Sequence, residues 1–451
     1  MPKKPPTPVA GREAVLVDAV RTPFLRSNGA YLDLMAYELG RAAIAGLLAK
    51  TGLDPKVVDL VVMGTVVQDP RTSNLAREAM LAAGMESTTP AFTTTLACIS
   101  ATVAATTVVD QIHLGRVDVA IAGGAESLSD PPIRLSKNLR QALVKSQKAK
   151  GAKGYLEIVK ELSPEDLIPD IPSAAEFSTG LTMGESCERF AKRVGVSRKE
   201  SDEFAARSHV LAARAWKEGR YADEVVAVPI PPKMELVKED DGPRGDSTVE
   251  SLAGLRPAFD RELGLITAGS SSFLTDGGSA VLLVARERCD QLGLTPGALG
   301  EDQRGLLPRA VVKDYVYAAG DPLEELLAGP ALAVPLLLER NGLQARDVGV
   351  WEIHEAFAAQ MVANLKLMAA KKFLEERVGV RIAPIEIPLD RINPWGGSLS
   401  IGHPFGATGG RLLATASRRL QVTGDRYAVV TGCAAGGHGS AILLENANAK
   451  R

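Results

Sequence analysis

Two distant stretches of this chain are written in one grammar, and that repetition constrains the fold more than any single motif. AGLLAKTGLDPKVVDLVVMGT (45–65) reads as a helix, a Gly-Leu turn, a short helix and a strand. PLLLERNGLQARDVGVWEIHE (335–355) repeats the order, with Gly52-Leu53 matching Gly342-Leu343 and Gly64 falling opposite His354. A second echo pairs VDVAIAGG (117–124) with RYAVVTGC (426–433). Two matches in the same order predict a duplicated body with two related halves.

Each half alternates short β-branched runs with longer Ala/Leu-rich stretches, which predicts α/β layers rather than a helical bundle. Ala14–Val17, Leu60–Met63, Val117–Ala122, Ala280–Val284, Ala310–Val312 and Tyr427–Thr431 read as buried strands. With 451 residues, 45% hydrophobic and 24% charged, the chain can bury a large core. A formal charge of −2 gives no global argument for nucleic-acid binding. No apolar run approaches the ~20 residues that a membrane-spanning helix needs. Four scattered cysteines, Cys98, Cys187, Cys289 and Cys433, make no disulfide framework and fit a reducing compartment.

The alternation breaks between 126 and 252, where proline-rich, charged and irregular segments predict an inserted loop domain. Residues 13–125 with 253–290 would then form the first half, and 305–446 the second. Residues 1–12 are proline-rich, without the apolar segment of a secretory signal or the Arg/Ser-rich pattern of a mitochondrial presequence, and are expected to be a disordered tail. Inside the insertion, 134–160 carries Arg134, Lys137, Arg140, Lys145, Lys148, Lys150, Lys153 and Lys160. Such a basic helical stretch could lie on an anionic membrane or grip a partner, though composition favours a solvated face.

Four side chains stand where turns meet regular elements. Cys98 precedes the long Ala/Thr/Val helix of TTTLACISATVAATTVVDQI (93–112). The positive end of that helix is expected to lower its pKa, although a lone cysteine there is more often a buried filler. His403 lies in GGSLSIGHPFGATGGR (396–411), whose six glycines in sixteen residues cost too much backbone entropy for an idle connector. The segment lacks the Gly-Lys-Ser/Thr ending of a phosphate loop. Cys433 closes a strand in GCAAGGHGS (432–440), and His354 ends another in IHEAFAAQ (353–360). Such positions converge readily in an α/β fold. Zinc is the rival use of two cysteines and two histidines, but no pair has chelate spacing, so no metal is expected. His113, His209 and His438 lack this context; His209 reads as structural or exposed, and His438 as a lining residue of its loop.

ACISA, HEAFAAQ, NPWGGSLSIGHPFGATG and GCAAGGHG, in that order, resemble the signatures of the thiolase family, and the resemblance runs from about Glu13 to Glu445. His354 in place of a common Asn, Phe405 in place of leucine, and the segments RTPF (21–24), TSNLAREA (72–79), SDPPIRLSK (129–137) and EFSTGLTMGES (176–186) look most like the β-subunits of fatty-acid oxidation trifunctional complexes and their bacterial counterparts. The resemblance implies a five-layered α-β-α-β-α thiolase fold and an acyltransferase acting on 3-ketoacyl-CoA, with coenzyme A as substrate and no tightly bound cofactor. It implies Cys98 as nucleophile, His403 as its base, Cys433 as general acid/base, and His354 with His403 as one oxyanion hole. The backbone N–H groups of Cys98 and Ala435 would form a second. Ser272 matches a pantetheine-contacting position and Met183 a pocket-lining one. Two positions depart from the pattern: Ala435 replaces a common glycine, and Ser270 replaces a frequent Asn in the pantetheine loop.

A decarboxylating ketosynthase would share the Cys-His-His set but has no use for Cys433. An acetoacetyl-CoA thiolase working towards condensation is the nearer rival, and a non-catalytic scaffold or lipid carrier would be expected to lose catalytic residues. The resemblance further implies a homodimer, with a hydratase/dehydrogenase α-subunit in the complex type. A bacterial cytoplasm, or alternatively a mitochondrial matrix, is the expected location.

Overall fold

The computed structural model describes residues 11–169, 175–294 and 309–449. Nearly all of the tail expected over 1–12 lies outside them, as does most of the junction expected between the halves, from 295 onward. Among the described residues, ten strands form one mixed sheet, and its pairing repeats. In the first half, Leu60–Gly64 runs parallel to Val119–Glu126, which pairs antiparallel with Thr275–Ala285, which pairs antiparallel with Ala14–Arg21. In the second half, Val348–Ile353, Tyr427–Ala434, His438–Asn446 and Ala310–Ala319 follow the same sequence of parallel, antiparallel and antiparallel contacts. The halves join where Ala14–Leu16 pairs with Ala310–Val312. The strand read from Val117 begins two residues later, at Val119.

Strand alternation builds the layers. Val61 and Met63 face an outer core made with the helices Ala36–Thr51 and Leu75–Ala82, while Leu60 and Val62 face inward. The inward residues of both halves meet the helices Ser100–His113 and Thr408–Thr423 in one central core. Trp351, Ile353, Val429 and Leu443 face a second outer core under the helices Gly329–Asn341 and Ala358–Ala369. Each fully buried Leu, Val or Ile contributes about 1.5–3 kcal/mol, so three such cores hold the five layers together.

The chain between 126 and 252 is more helical than its composition suggests. Lys137–Ser146 and Gly151–Lys160 form a hairpin, and Met183–Val194 and Arg198–Lys217 pack on the second half. Thr182 and Ser197 start the latter two through reciprocal capping boxes with Glu185 and Glu200. A fully buried ion pair clamps the insertion to the first strand: Arg21 Nε donates to Glu224 at 2.9 Å, and its Nη1 to Asp240 at 2.6 Å. Removing one partner from such a cluster typically costs 3–5 kcal/mol.

Candidate active site

Cys98 sits two residues before the central helix Ser100–His113, held by a backbone reversal at Ala97, whose φ is +44°. A non-glycine residue there is strained by about 1–3 kcal/mol, a cost that recurs where a side chain must be presented at an unusual angle. Leu96 and Ala97 fasten the turn through the Ser100 hydroxyl, which accepts from Leu96 N–H at 2.8 Å and donates to Ala97 C=O at 2.7 Å.

The other central helix is entered through the glycine-rich loop of His403. Gly402 takes φ +109°, open to glycine, and His403 N–H then donates to the Thr275 hydroxyl at 3.0 Å. Phe405 lies 5.0 Å from the His403 ring. Gly124 of the first half explains how the loop reaches the site: a Cβ there would stand 1.9 Å from Gly406 C=O. Glu126 completes the anchorage. Its buried carboxylate accepts from Gly406 N–H at 2.9 Å, from Val66 and Val67 N–H at 3.0 and 2.9 Å, and from the Thr65 hydroxyl at 3.2 Å. Burial outweighs these donors and raises its pKa to about 7.

His354 ends the strand Val348–Ile353, its N–H donating to Thr431 C=O at 2.8 Å. The rings of His354 and His403 lie 4.1 Å apart, and one nitrogen from each, with the Cys98 sulfur, fall within 4.8 Å of one another. The Nε2 atoms of both rings are buried without a hydrogen-bond partner among the described residues. Cys433, in the strand Tyr427–Ala434, is close enough for a charge on Cys98 to raise its pKa, and the Ala435 N–H acts on the Cys98 thiol to lower that group's pKa. The turn after Cys433 is held from the insertion: Glu176 accepts from Gly436 N–H at 2.8 Å.

The electrostatics correct one expectation. Burial pushes the Cys98 thiol up to about 12, overriding the helix terminus, so the resting group is a neutral thiol. Burial likewise raises Cys433. His354 is driven down to about 3 by burial and by the nearby Arg411 guanidinium. His403 falls well below its ordinary value by burial, His354 and Arg411 together. Two neutral thiols beside two neutral imidazoles suit proton exchange within the site. Cys98, His354 and His403 are also a set that could ligate a soft cation. The Arg411 charge, which acts on both imidazoles, opposes that use.

Ser272 borders the site: its N–H donates to Ala356 C=O at 3.0 Å, while Leu274 bridges to His403. Ser270 turns its hydroxyl back onto Thr267, forming a short-range cap. Met183 begins its helix and packs against the cluster that holds Cys433. His209 is structural and buried, 3.2 Å from Arg244. Burial and neighbouring arginines lower its pKa to about 4. His438 begins a strand and pairs with Ala434 and Ala319. Sequence reasoning missed Glu126, Glu176, Ser398, Thr408 and Arg411. Of these, Glu176, Ser398, Thr408 and Arg411 had a legible trace, because each sits in a segment quoted above for its motif.

The thiolase N-terminal domain model matches residues 14–287 and the thiolase C-terminal domain model residues 306–446. The mitochondrial trifunctional enzyme subunit beta of Bos taurus is 45% identical over 96% of this chain and 88% of its own length. A probable 3-ketoacyl-CoA thiolase of Caenorhabditis elegans is 46% identical over 96% and 93%, and the 3-ketoacyl-CoA thiolase of Shewanella baltica 41% over 97% and 98%. Among solved structures, the Bacillus anthracis acetyl-CoA acetyltransferase superposes with a TM-score of 0.80 at 29% identity, covering 97% of this chain and 99% of that one. With both halves matched and the site assembled between them, the chain belongs to the thiolase family.

Proposed function

We propose that this chain is a 3-ketoacyl-CoA thiolase of fatty-acid oxidation, cleaving its substrate with coenzyme A through a thioester on Cys98. The observation that carries the reading is the convergence of the Cys98 sulfur with His354 and His403 nitrogens inside 4.8 Å, beside Cys433. In this mechanism the Cys98 sulfur attacks the C3 carbonyl and its proton passes to His403. The C2–C3 bond breaks, leaving the acyl group on sulfur and acetyl-CoA as an enolate. His354 and His403 stabilise the enolate oxygen, and the Cys433 thiol protonates its carbon.

Coenzyme A then enters as the second substrate. Its thiol gives a proton to the Cys433 thiolate and attacks the Cys98 thioester. The tetrahedral oxyanion sits against the N–H groups of Cys98 and Ala435. The influence of the Ala435 N–H on the Cys98 thiol supports this assignment, since a methyl side chain does not obstruct a backbone donor. Collapse releases an acyl-CoA shortened by two carbons, and Cys98 recovers its proton from His403. Ser272 and Met183 are assigned to the pantetheine arm and the acyl pocket.

The likeness to trifunctional β-subunits extends the proposal to a homodimer that binds a hydratase/dehydrogenase α-subunit. The hairpin 137–160 offers Leu143, Val144, Tyr155, Leu156 and Val159 to solvent among its lysines, a surface suited to that partner or to an anionic membrane. The four scattered cysteines suit the reducing interior of a bacterial cytoplasm or mitochondrial matrix. A chain-length series of 3-ketoacyl-CoA substrates tests the activity. Acetyl-CoA and an acyl-CoA two carbons shorter should form at every accepted length, with medium or long chains preferred. Turnover confined to acetoacetyl-CoA would return the reading to the condensing type, and no release of acetyl-CoA would refute thiolysis.

A further inference from the structure

The two histidines are chemically alike but must do opposite things, and the groups behind them differ. His354 Nδ1 lies 2.9 Å from the Ser398 hydroxyl, which also accepts from Arg411 Nη2 at 2.9 Å. Both Ser398 and Arg411 are completely buried. A guanidinium can only donate, so one lone pair of Ser398 is committed to Arg411. If His354 carried its hydrogen on Nδ1, Ser398 would accept twice, and its own hydrogen would be buried with no acceptor among the described residues. An unmet donor of that kind typically costs 1–3 kcal/mol. The arrangement closes only when Ser398 donates to a bare Nδ1, which leaves the hydrogen on Nε2.

Behind His403 the logic reverses. The Thr408 hydroxyl lies 2.6 Å from His403 Nδ1, and it has an acceptor of its own, donating to Pro404 C=O at 3.1 Å. Thr408 can therefore accept from Nδ1–H, and this leaves Nε2 bare.

We propose that Ser398, held by Arg411, and Thr408 are positioning residues that fix His354 and His403 in opposite tautomers. His354 then presents an N–H to the substrate oxygen, while His403 presents a lone pair to the Cys98 thiol. One ring is ready to donate and the other to accept before any substrate arrives, so neither has to exchange a proton through a buried site first. The inference rests on the thiolysis reading for its functional consequence, but the tautomers can be read without turnover.

Selective ¹⁵N-histidine labelling of the full-length protein at neutral pH supplies that readout, with signals assigned by their loss in His354→Gln and His403→Gln. For His354 the expected pattern is a protonated Nε2 and a bare Nδ1, and for His403 the reverse. A protonated Nδ1 on His354 would overturn the proposal whatever the activity. In Ser398→Ala the His354 pattern should become mixed, and kcat for thiolysis should fall about 10- to 100-fold with KM little changed. Ser398→Thr, which keeps the hydroxyl, should restore the pattern and most of kcat. Equal kcat in wild type and Ser398→Ala, with an unchanged His354 pattern, would also overturn it. A wild-type protein that shows the expected pattern but no thiolysis would sustain the tautomers and refute the activity reading instead.

Discussion

The two halves of this molecule share a strand plan and differ at the ends of two matching strands. The first half has Gly64 where the second has His354, and Gly124 where the second has Cys433. The difference is steric as well as chemical. A Cβ on Gly64 would meet the Ser100 backbone at 2.5 Å, and one on Gly124 would meet Gly406 C=O at 1.9 Å. The first half has given up side chains at these strand ends, and backbone fills the space: the turn that carries Cys98 and the loop that carries His403. The second half keeps side chains there and supplies the groups that handle protons and charge. One duplicated frame thus serves as receptacle on one side and as acid/base apparatus on the other.

The comparison can be broken at its chemical side first. His354→Ala removes a donor to the enolate oxygen and should lower kcat about 10²- to 10³-fold, measured by acetyl-CoA release, with the folded state retained. A smaller effect is expected from its receptacle side. Gly124→Ala forces the His403 loop away from its seat, and a displacement of that kind should lower kcat about 10- to 100-fold. Gly52→Ala, at a turn of φ +63° with open space around it, should cost about 1 kcal/mol in thermal or denaturant unfolding and leave kcat alone.

The resting protonation states sharpen the same contrast. Because the thiol form of Cys98 persists up to about pH 12, thiolate is scarce at neutral pH. Alkylation of substrate-free enzyme by iodoacetamide should therefore climb about tenfold per pH unit from 7 to 9, without levelling. A plateau near neutrality would mean a stabilised thiolate and would contradict the neutral pair. The smallest effect on turnover should come from the insertion. Charge reversal at Lys145, Lys148 and Lys153 should leave kcat unchanged while weakening salt-sensitive binding to anionic liposomes or to an α-subunit. If neither binding responds, the hairpin is a solvated face.

Much of this was legible in the sequence, and the reasons differ by residue. The duplication showed because Gly52 and Gly342 both close helices with positive φ, a demand that leaves the same letter at both places. His403 and Cys433 showed because glycine-dense loops are entropically expensive and stand out. Cys98 does stand just ahead of a helix, as its sequence context predicts, but its pKa departs from expectation: the helix start is written in the sequence, whereas the desolvation that overrides it depends on packing from both halves. Ser398 and Arg411 passed unnoticed for a similar reason. A serine inside a loop and an arginine in the first turn of a helix read as a polar surface, yet both are fully buried. Gly409 and Gly410 were the available clue, since small residues beside Arg411 let that helix sink against Thr102 and Ser279.

The division of labour between the halves is tested most directly by trapping the acyl-enzyme. Wild-type protein would be mixed with a 3-ketoacyl-CoA in the absence of free coenzyme A, quenched in acid, digested and read by mass spectrometry. The account predicts one equivalent of acetyl-CoA released per chain and an acyl group, two carbons shorter than the substrate's, on the peptide containing Cys98. Cys98→Ala should give neither. An acyl group on Cys433, or full turnover in Cys98→Ala, would contradict it.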